Sequence, residues 1–135
     1  MDLTQLEVEE TGVLGLLSAT EEPIIGSDGQ PVTVTVYSPG SKAYAKAQAA
    51  QQNRMIDKLK KRGKSDQTAE EKARELADHL TACTASFSDN FEYQGLEGAE
   101  LIRAVYMNPK LGYIAEQVGK HIGDWSNFSK PATTS

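Results

Sequence analysis

The sequence predicts a mainly α-helical small domain of the four-helix type, preceded by a short N-terminal β-hairpin. A long stretch rich in Ala, Gln and Lys at 41–62 has strong helix propensity, and apolar residues recur at helical spacing from Ala73 onward. An Asp28-Gly29 pair between two apolar runs indicates a tight hairpin. At 135 residues the chain fits a single domain, which we assign to residues 1–128.

The N-terminal part divides into an irregular segment and the hairpin. Residues 1–22 have no clean period, and Gly12 and Gly15 interrupt any helix there. Residues 23–37 carry the hairpin signal, with Pro31 suited to the start of an edge strand because it lacks a backbone donor. The apolar residues of the second strand alternate, at Val32, Val34 and Val36.

Two helices are predicted next. The first spans 41–62 and begins after the capping oxygens of the segment 38–41. Its apolar stripe is thin and consists of Tyr44, Ala47, Met55, Ile56 and Leu59. The second begins at a capping box formed by Thr68 and Glu71. Its apolar face has the residues Ala73, Leu76, Ala77, Leu80, Cys83 and Phe87.

Two further helices complete the helical part, which is assigned to 41–128. The third is expected at 96–107, and the break at Asn108-Pro109 both ends it and caps the fourth. In the fourth helix Ile114, Val118, Ile122 and Trp125 are expected to share the core-facing side. Residues 129–135 are small and polar, which predicts a disordered tail.

The charge of the chain is unevenly distributed. The formal net charge is −5, but residues 1–40 hold seven acids and no Lys or Arg, for −7. Residues 41–64 hold eight bases against one acid, for +7, and residues 65–135 hold eleven acids against six bases, for −5. This asymmetry predicts charged contacts between regions or between molecules.

Several classes of protein are excluded by composition. The longest uncharged apolar stretch lies around 13–17 and is far shorter than the ~20 residues of a membrane span, so no membrane partner is expected. The N-terminus carries acids where a secretory signal carries Lys or Arg. Cys83 is the single cysteine, so no intrachain disulfide can form and a reducing compartment is expected.

We find no sequence pattern that predicts catalysis, a cofactor or a metal. The end of a phosphate-binding loop occurs at 63–65, but the first glycine that this motif requires is replaced by Lys58. His79 and Cys83 are one helical turn apart, and only His121 adds a further soft ligand where a closed zinc site needs four. No catalytic, cofactor-binding or metal-ligating residue is therefore assigned, and the protein is not expected to be an enzyme.

The basic run at 54–64 is the one charged feature that suggests contact with a partner. Its candidate electrostatic contacts are Lys58, Lys60, Lys61 and Arg62. Nucleic acid is one reading, although the chain is acidic overall and lacks interleaved aromatic residues. A solvated helix end stabilised by the helix dipole is another. Alternatively, the run meets the acidic regions of the same chain or of a neighbour, giving oligomers whose association weakens with salt.

The C-terminal third carries a recognisable pattern. It consists of Leu101-Ile102-Arg103-Ala104-Val105-Tyr106, then Asn108-Pro109-Lys110-Leu111-Gly112-Tyr113-Ile114-Ala115-Glu116-Gln117-Val118, and finally Ile122-Gly123-Asp124-Trp125-Ser126-Asn127-Phe128. With the alternating strand at 32–36, the Ser-Pro-Gly-Ser entry and the long polar helix, it resembles the tail assembly chaperones of long-tailed, lambda-type bacteriophages. The resemblance covers about residues 30–128.

This resemblance implies a non-virion protein of the infected host's cytoplasm. Such a protein binds the tape measure protein and keeps it soluble until tail tube subunits polymerise around it. In the family, a minority longer form arises by programmed translational frameshifting near the end of the short form, and its extra domain recruits tail tube protein. The polar tail after Phe128 is a suitable place for such a junction.

The partner-facing residues are expected on the first helix. We assign Tyr44, Met55, Ile56 and Leu59 because apolar patches that include Met adapt to varied surfaces, with core packing as the competing role for each. Self-association is also expected. Two other functions are kept open: a virion structural protein, such as a tail terminator or head-tail connector, and a nucleic-acid-binding module that uses the basic run.

Overall fold

The computed structural model describes residues 3–62 and 68–129, and within them the chain forms four α-helices and a three-stranded antiparallel sheet. The elements in chain order are β1 (Thr11–Gly15), β2 (Thr33–Tyr37), α1 (Lys42–Arg62), α2 (Ala69–Ala82), β3 (Thr84–Phe87), α3 (Gly98–Met107) and α4 (Gly112–Gly123). Short 3-10 helices cover Leu3–Leu6, Pro109–Leu111 and Trp125–Phe128. The helical content was predicted correctly, but the fold is mixed α/β and not a four-helix domain with an added hairpin.

The strand β2 pairs with β1 and β3, not with the segment expected to form a hairpin with it. The sheet order is β1-β2-β3, with Leu14 opposite Val34 and Val34 opposite Phe87. The predicted turn does exist, because the Gly26 N–H donates to the Gln30 carbonyl oxygen at 2.8 Å. The turn is flanked only by an isolated bridge between Ile25 and Pro31. The prediction that residues 23–37 form two paired strands is therefore wrong.

Strand β1 lies in the segment that was expected to be irregular. Its two glycines do not break it, because an extended strand tolerates Gly where a helix loses stability. Gly12 is required by packing: a Cβ there would lie 2.7 Å from the Phe128 ring. Gly12, which was taken as a sign of irregular structure, therefore marks a close contact between strand β1 and the last 3-10 helix.

The caps of the first two helices follow the predicted chemistry. The Ser41 Oγ accepts from the Tyr44 N–H at 3.1 Å, and the Thr68 Oγ accepts from the Glu71 N–H at 3.1 Å. Helix α2 nevertheless ends at Ala82, where the sequence pattern continued to residue 87. The Thr84 Oγ donates to the Leu80 carbonyl oxygen at 2.7 Å, and the chain leaves the helix to form β3.

The helical assignment of 41–128 is thus interrupted by a strand. Of the apolar face assigned to the second helix, Ala77 and Leu80 are buried, but Ala73 and Leu76 are exposed. Cys83 and Phe87 are both buried, one just after α2 and the other in β3. Helix α3 begins at Gly98, two residues after the expected start. The tail expected at 129–135 lies outside the described residues except for Ser129, which follows the last 3-10 helix.

Helices α2, α3 and α4 contact the sheet and enclose one hydrophobic core. The most deeply buried large side chains are Leu16, Val34, Val36, Val105, Val118 and Phe128. Along β2 the valines are buried and Thr33, Thr35 and Tyr37 are partly exposed, so only one sheet face carries the core. In α4 the expected face is confirmed for Ile114, Val118 and Ile122, but Trp125 lies beyond the helix and is 55% exposed.

The outer edge of the sheet is closed at one end by a side chain. The Gln117 Nε2 donates to the Leu17 carbonyl oxygen at 2.7 Å, and the Leu17 N–H donates to the Gln117 Oε1 at 2.8 Å. At the other end the Glu9 N–H donates to the Phe128 carbonyl oxygen at 2.7 Å. These three bonds use backbone groups that point away from β2, so they limit the open edge to β1 itself.

Candidate protein-binding surface

Helix α1 carries an apolar patch that the core does not cover. Its first half is anchored, since Ala47 is buried and the Tyr44 ring meets the His79 ring edge-on at 6.1 Å between centroids. Its second half exposes Met55, Ile56 and Leu59, at 49%, 48% and 45%. We call these three residues the α1 patch. The four predicted partner-facing residues therefore divide: Tyr44 packs within the chain, and the other three face outward.

The basic residues beside the α1 patch have different surroundings. The Lys58 ammonium forms an ion pair with Glu75 and lies 3.6 Å from a Glu71 carboxylate oxygen, so α2 neutralises it. Lys60 and Lys61 are exposed. The side chain of Arg62 lies outside the described part of the chain. Of the predicted electrostatic contacts, Lys58 is used internally, in agreement with a contact between the basic run and the acidic C-terminal region.

The two histidine side chains are partly buried and the cysteine side chain is buried. The Cys83 Sγ lies 3.8 Å from the His79 Nε2, but burial raises the pKa of the thiol to about 11, so the nucleophilic thiolate is disfavoured. Desolvation lowers the pKa of His79, which favours the neutral ring. His121 is elsewhere, packed edge-on against Phe128 at 5.5 Å between centroids. The described residues contain no group of three or more His, Cys, Asp or Glu that could hold a metal ion.

A buried hydroxyl pair in the core is also structural. The Tyr106 Oη lies 2.7 Å from the Thr84 Oγ, which in turn donates to a backbone oxygen of α2. Burial is the main reason that the pKa of Tyr106 is raised, so its phenol stays protonated and acts as a hydrogen-bonding group. The pair ties α3 to the point where α2 becomes β3.

Sequence reasoning missed one exposed apolar residue on α2. Leu76 was assigned to the core because it has the helical spacing of the buried residues Ala77 and Leu80, yet it is 50% exposed. It lies in the middle of α2 and lines a groove of about 600 Å³ with residues at the end of α3 and the start of α4, among them Met107 and Ala115. The spacing of apolar residues could not predict this exposure, because exposed Leu76 and buried Leu80 follow the same helical period.

Other exposed apolar residues lie at separate places. Leu3 and Leu6 are on the first 3-10 helix, and Val13 is on the solvent-facing side of β1. None of the three lies on α1, and exposed apolar side chains are common on protein surfaces, so Val13 serves as a control. In the part of the chain that the structure describes, no helix combines the length and apolarity that a membrane span requires.

Comparisons with known proteins do not identify a family for the chain. No protein-family model, curated protein or solved structure matches the chain.

Proposed function

We propose that this protein is a tail assembly chaperone that binds a tape measure protein and keeps it soluble until tail tube subunits polymerise around it. One observation carries the proposal: the second half of α1 holds three neighbouring apolar side chains, each nearly half exposed, on a helix that packs chiefly against α2. The resemblance of residues 101–128 to this class of chaperone supports the same reading. The protein acts by binding and not by catalysis.

The physical character of the α1 patch suits a holding function. Each of its side chains has apolar area left to bury, and the flexible Met55 side chain adapts to partners of varied shape. One patch of this size gives weak binding, because stable interfaces bury about 1,200–2,000 Å² in total. Many copies on one long partner supply the holding strength, and each copy remains easy to displace.

The setting of this function follows from the same proposal. The chaperone works in the host cell cytoplasm, associates with further copies of itself and is absent from the mature virion. A longer frameshifted form carries the contact with tail tube protein. The uneven charge along the chain, +7 in residues 41–64 and −7 in residues 1–40, supports self-association through opposite charges.

Co-expression with the candidate tape measure protein tests the proposal directly. We expect the partner to become soluble and to co-purify, and the double variant Ile56→Ser/Leu59→Ser to lose most of this effect. Val13→Ser is the control, since it removes an exposed apolar side chain that lies on the sheet and not on α1. A partner that stays insoluble with the wild-type chain, or the same result for both variants, would reject the proposed surface.

The virion composition separates the chaperone from a structural role. Purified virions should lack this protein, whereas stoichiometric amounts would reject the chaperone in favour of a tail terminator or head-tail connector. A nucleic-acid-binding role would require steep salt dependence and loss of binding when Lys60 and Lys61 are neutralised. Lys58 contributes little to such a role because Glu71 and Glu75 already compensate its charge.

A further inference from the structure

The groove that Leu76 lines offers an apolar surface for a helix. It is formed by α2, the end of α3 and the start of α4, and its apolar lining includes Ala73, Leu76, Met107 and Ala115. Its volume of about 600 Å³ leaves room for several side chains, as in clefts that bind ligands of moderate size. Leu76 is 50% exposed, so apolar area remains there to be buried. We call this site the α2–α4 groove.

The α2–α4 groove lies on the side of α2 that is turned away from α1. The Lys58 ammonium of α1 pairs with Glu75 and lies near Glu71, so these two acids mark the side of α2 that faces α1. Ala73 is two residues from each of these acids and is therefore rotated by about 160° from both. The α1 patch of a molecule consequently cannot enter the groove of the same molecule.

The charged residues that line the α2–α4 groove give it an acidic balance. Glu70 and Glu116 line it together with Arg74, so two carboxylates stand against one guanidinium. Arg74 follows Glu70 by one helical turn, a spacing at which the two side chains can offset each other's charge. The groove therefore favours a partner surface that is apolar and carries a positive charge at its border.

The α1 patch of this same chain has that character. Lys60 follows Ile56 by one helical turn and is exposed, so it lies next to the patch. Lys58 adds little, because its ion pair with α2 already neutralises it. Asp57, the one acid of α1, is rotated by about 150° from the middle of the patch and faces away from it. The patch and the groove are thus both apolar and are opposite in charge.

We infer that the α1 patch of one molecule binds the α2–α4 groove of a second copy. The apolar side of α1 enters the groove as an amphipathic helix enters a hydrophobic groove, and Lys60 meets the acidic border. Because two different surfaces meet, the interface is heterologous, and association continues beyond a dimer to a closed ring or an open chain. The inference rests on the self-association in the proposed function and names the two surfaces that make the contact.

This contact covers the patch that is proposed to hold the tape measure protein. Self-association and binding of the tape measure protein therefore compete for the α1 patch. The contact area is small, so the interface between copies is weak and reversible. A long partner that engages many copies at once can displace it.

Sedimentation velocity of the full chain tests the contact. At low salt the wild-type chain should form oligomers larger than a dimer as its concentration rises, and salt should dissociate them by screening the charges. The patch variant Ile56→Ser/Leu59→Ser and the groove variant Ala73→Lys/Leu76→Ser should each weaken association at least about tenfold. Val13→Ser, on the sheet, should associate like the wild-type chain. A wild-type chain that stays monomeric at low salt, or a groove variant that associates like it, overturns the inference.

An equimolar mixture of the patch variant and the groove variant identifies the two surfaces as partners. The patch variant keeps an intact groove and the groove variant keeps an intact patch, so the mixture should form a dimer of the two chains. This dimer should not grow, because the surfaces that remain free are the altered ones. A mixture that stays monomeric overturns the inference. Circular dichroism of each variant shows that the fold is retained.

Reversal of single charges tests the electrostatic part of the contact. Lys60→Glu should weaken association about fivefold to tenfold at low salt and less at high salt. Lys46→Glu is the matched control, since it makes the same change on an exposed residue about 20 Å away along α1. The variant Glu70→Lys/Glu116→Lys should bind the Lys60→Glu chain more tightly than it binds the wild-type chain. Equal effects of Lys60→Glu and Lys46→Glu overturn the charge pairing on which the inference stands.

The co-expression experiment separates this inference from the proposed function. The groove variant keeps the α1 patch, so it should solubilise the tape measure protein at least as well as the wild-type chain does. Its failure would overturn the assignment of the groove to a second copy. If the tape measure protein is solubilised while the wild-type chain alone stays monomeric, the chaperone proposal stands and the inferred contact fails. If the copies associate through patch and groove while the tape measure protein stays insoluble, the contact stands and the identity of the partner is wrong.

Discussion

Replacement of Phe128 by Ala should cost more stability than any change on the exposed surface. Phe128 is 1% exposed although it lies close to the end of the described chain. Its ring rests on Gly12 of β1 and meets the His121 ring edge-on, and its carbonyl oxygen accepts from the Glu9 N–H at 2.7 Å. The side chain therefore joins the last 3-10 helix to the first strand.

The expected magnitude follows from the burial. A fully buried Phe replaced by Ala loses about 3–5 kcal/mol, because the transfer free energy of the ring is lost and a cavity remains. The free energy of unfolding of a domain is about 5–15 kcal/mol, so the variant keeps only part of its stability. For a chain of this length the midpoint of thermal unfolding should fall by about 10–20 °C.

Urea denaturation followed by circular dichroism measures this loss, with Trp125→Ala as the control. Trp125 is larger, lies three residues earlier and is 55% exposed, so its removal should cost less than about 1 kcal/mol. The reasoning is refuted if Phe128→Ala costs less than about 1 kcal/mol, or if Trp125→Ala costs as much.

Three further changes have outcomes that the structure determines. Lys58→Ala should lower the free energy of unfolding by up to about 1 kcal/mol, and by less in high salt, because it removes the ion pair with Glu75. Lys60→Ala should change the free energy of unfolding little. Equal effects of the two changes in urea denaturation would contradict the ion-pair assignment. Desolvation lowers the pKa values of His79 and His121 in the folded state, so stability should be complete above about pH 6.5 and fall as the pH drops through the lowered values. Urea midpoints that stay constant from about pH 7.5 to 5.5 would count against that burial. The Cys83 thiol is buried and its pKa is raised to about 11, so both access and thiolate formation are disfavoured in the folded protein. It should react with a disulfide reagent at least about a hundredfold faster in urea that unfolds the protein than in buffer. Similar rates in the two solutions would contradict the buried position.

The helices of this fold could be predicted because their signals are local. Helix α1 and its Ser41 cap, and helix α2 with its Thr68 cap, depend on residues within one turn of each other. The strands could not be placed in the same way. Strand β1 contains two glycines, and its partner β2 lies beyond a loop that itself carries a hairpin signal. Strand pairing depends on contacts between residues that are far apart in sequence, and the periodicity of a single segment gives no information about them.

Helix α2 shows where a periodic pattern misleads. The residues from 73 to 87 keep a helical spacing of apolar positions, yet the chain changes from helix to strand after Ala82. Cys83 and Phe87 are buried in the structure, as the helical pattern also predicted, so their burial alone does not distinguish a helix from a strand. The hydroxyl of Thr84, bonded to Leu80 and Tyr106, stabilises the change, and that arrangement depends on α3.

The sequence could identify candidate surface residues within one helix, but not the contacts that other helices make with them. Its members on α1 were identified from a stripe too thin to form a core, and three of the four are exposed. Tyr44, for which core packing was the competing role, packs against His79, a contact that the sequence does not reveal because His79 comes from another helix. Leu76 was assigned to the core because a single helix does not reveal where its neighbours end.

The amide of Gln117 has a consequence for how the protein behaves in a crowded solution. By occupying both backbone groups of Leu17, it mimics one rung of a further strand and stops the sheet from growing there. With Phe128 blocking the opposite end, β1 offers a stretch too short to recruit another chain. The closed edge thereby lowers the tendency of the protein to aggregate through pairing of β1 with strands of other molecules.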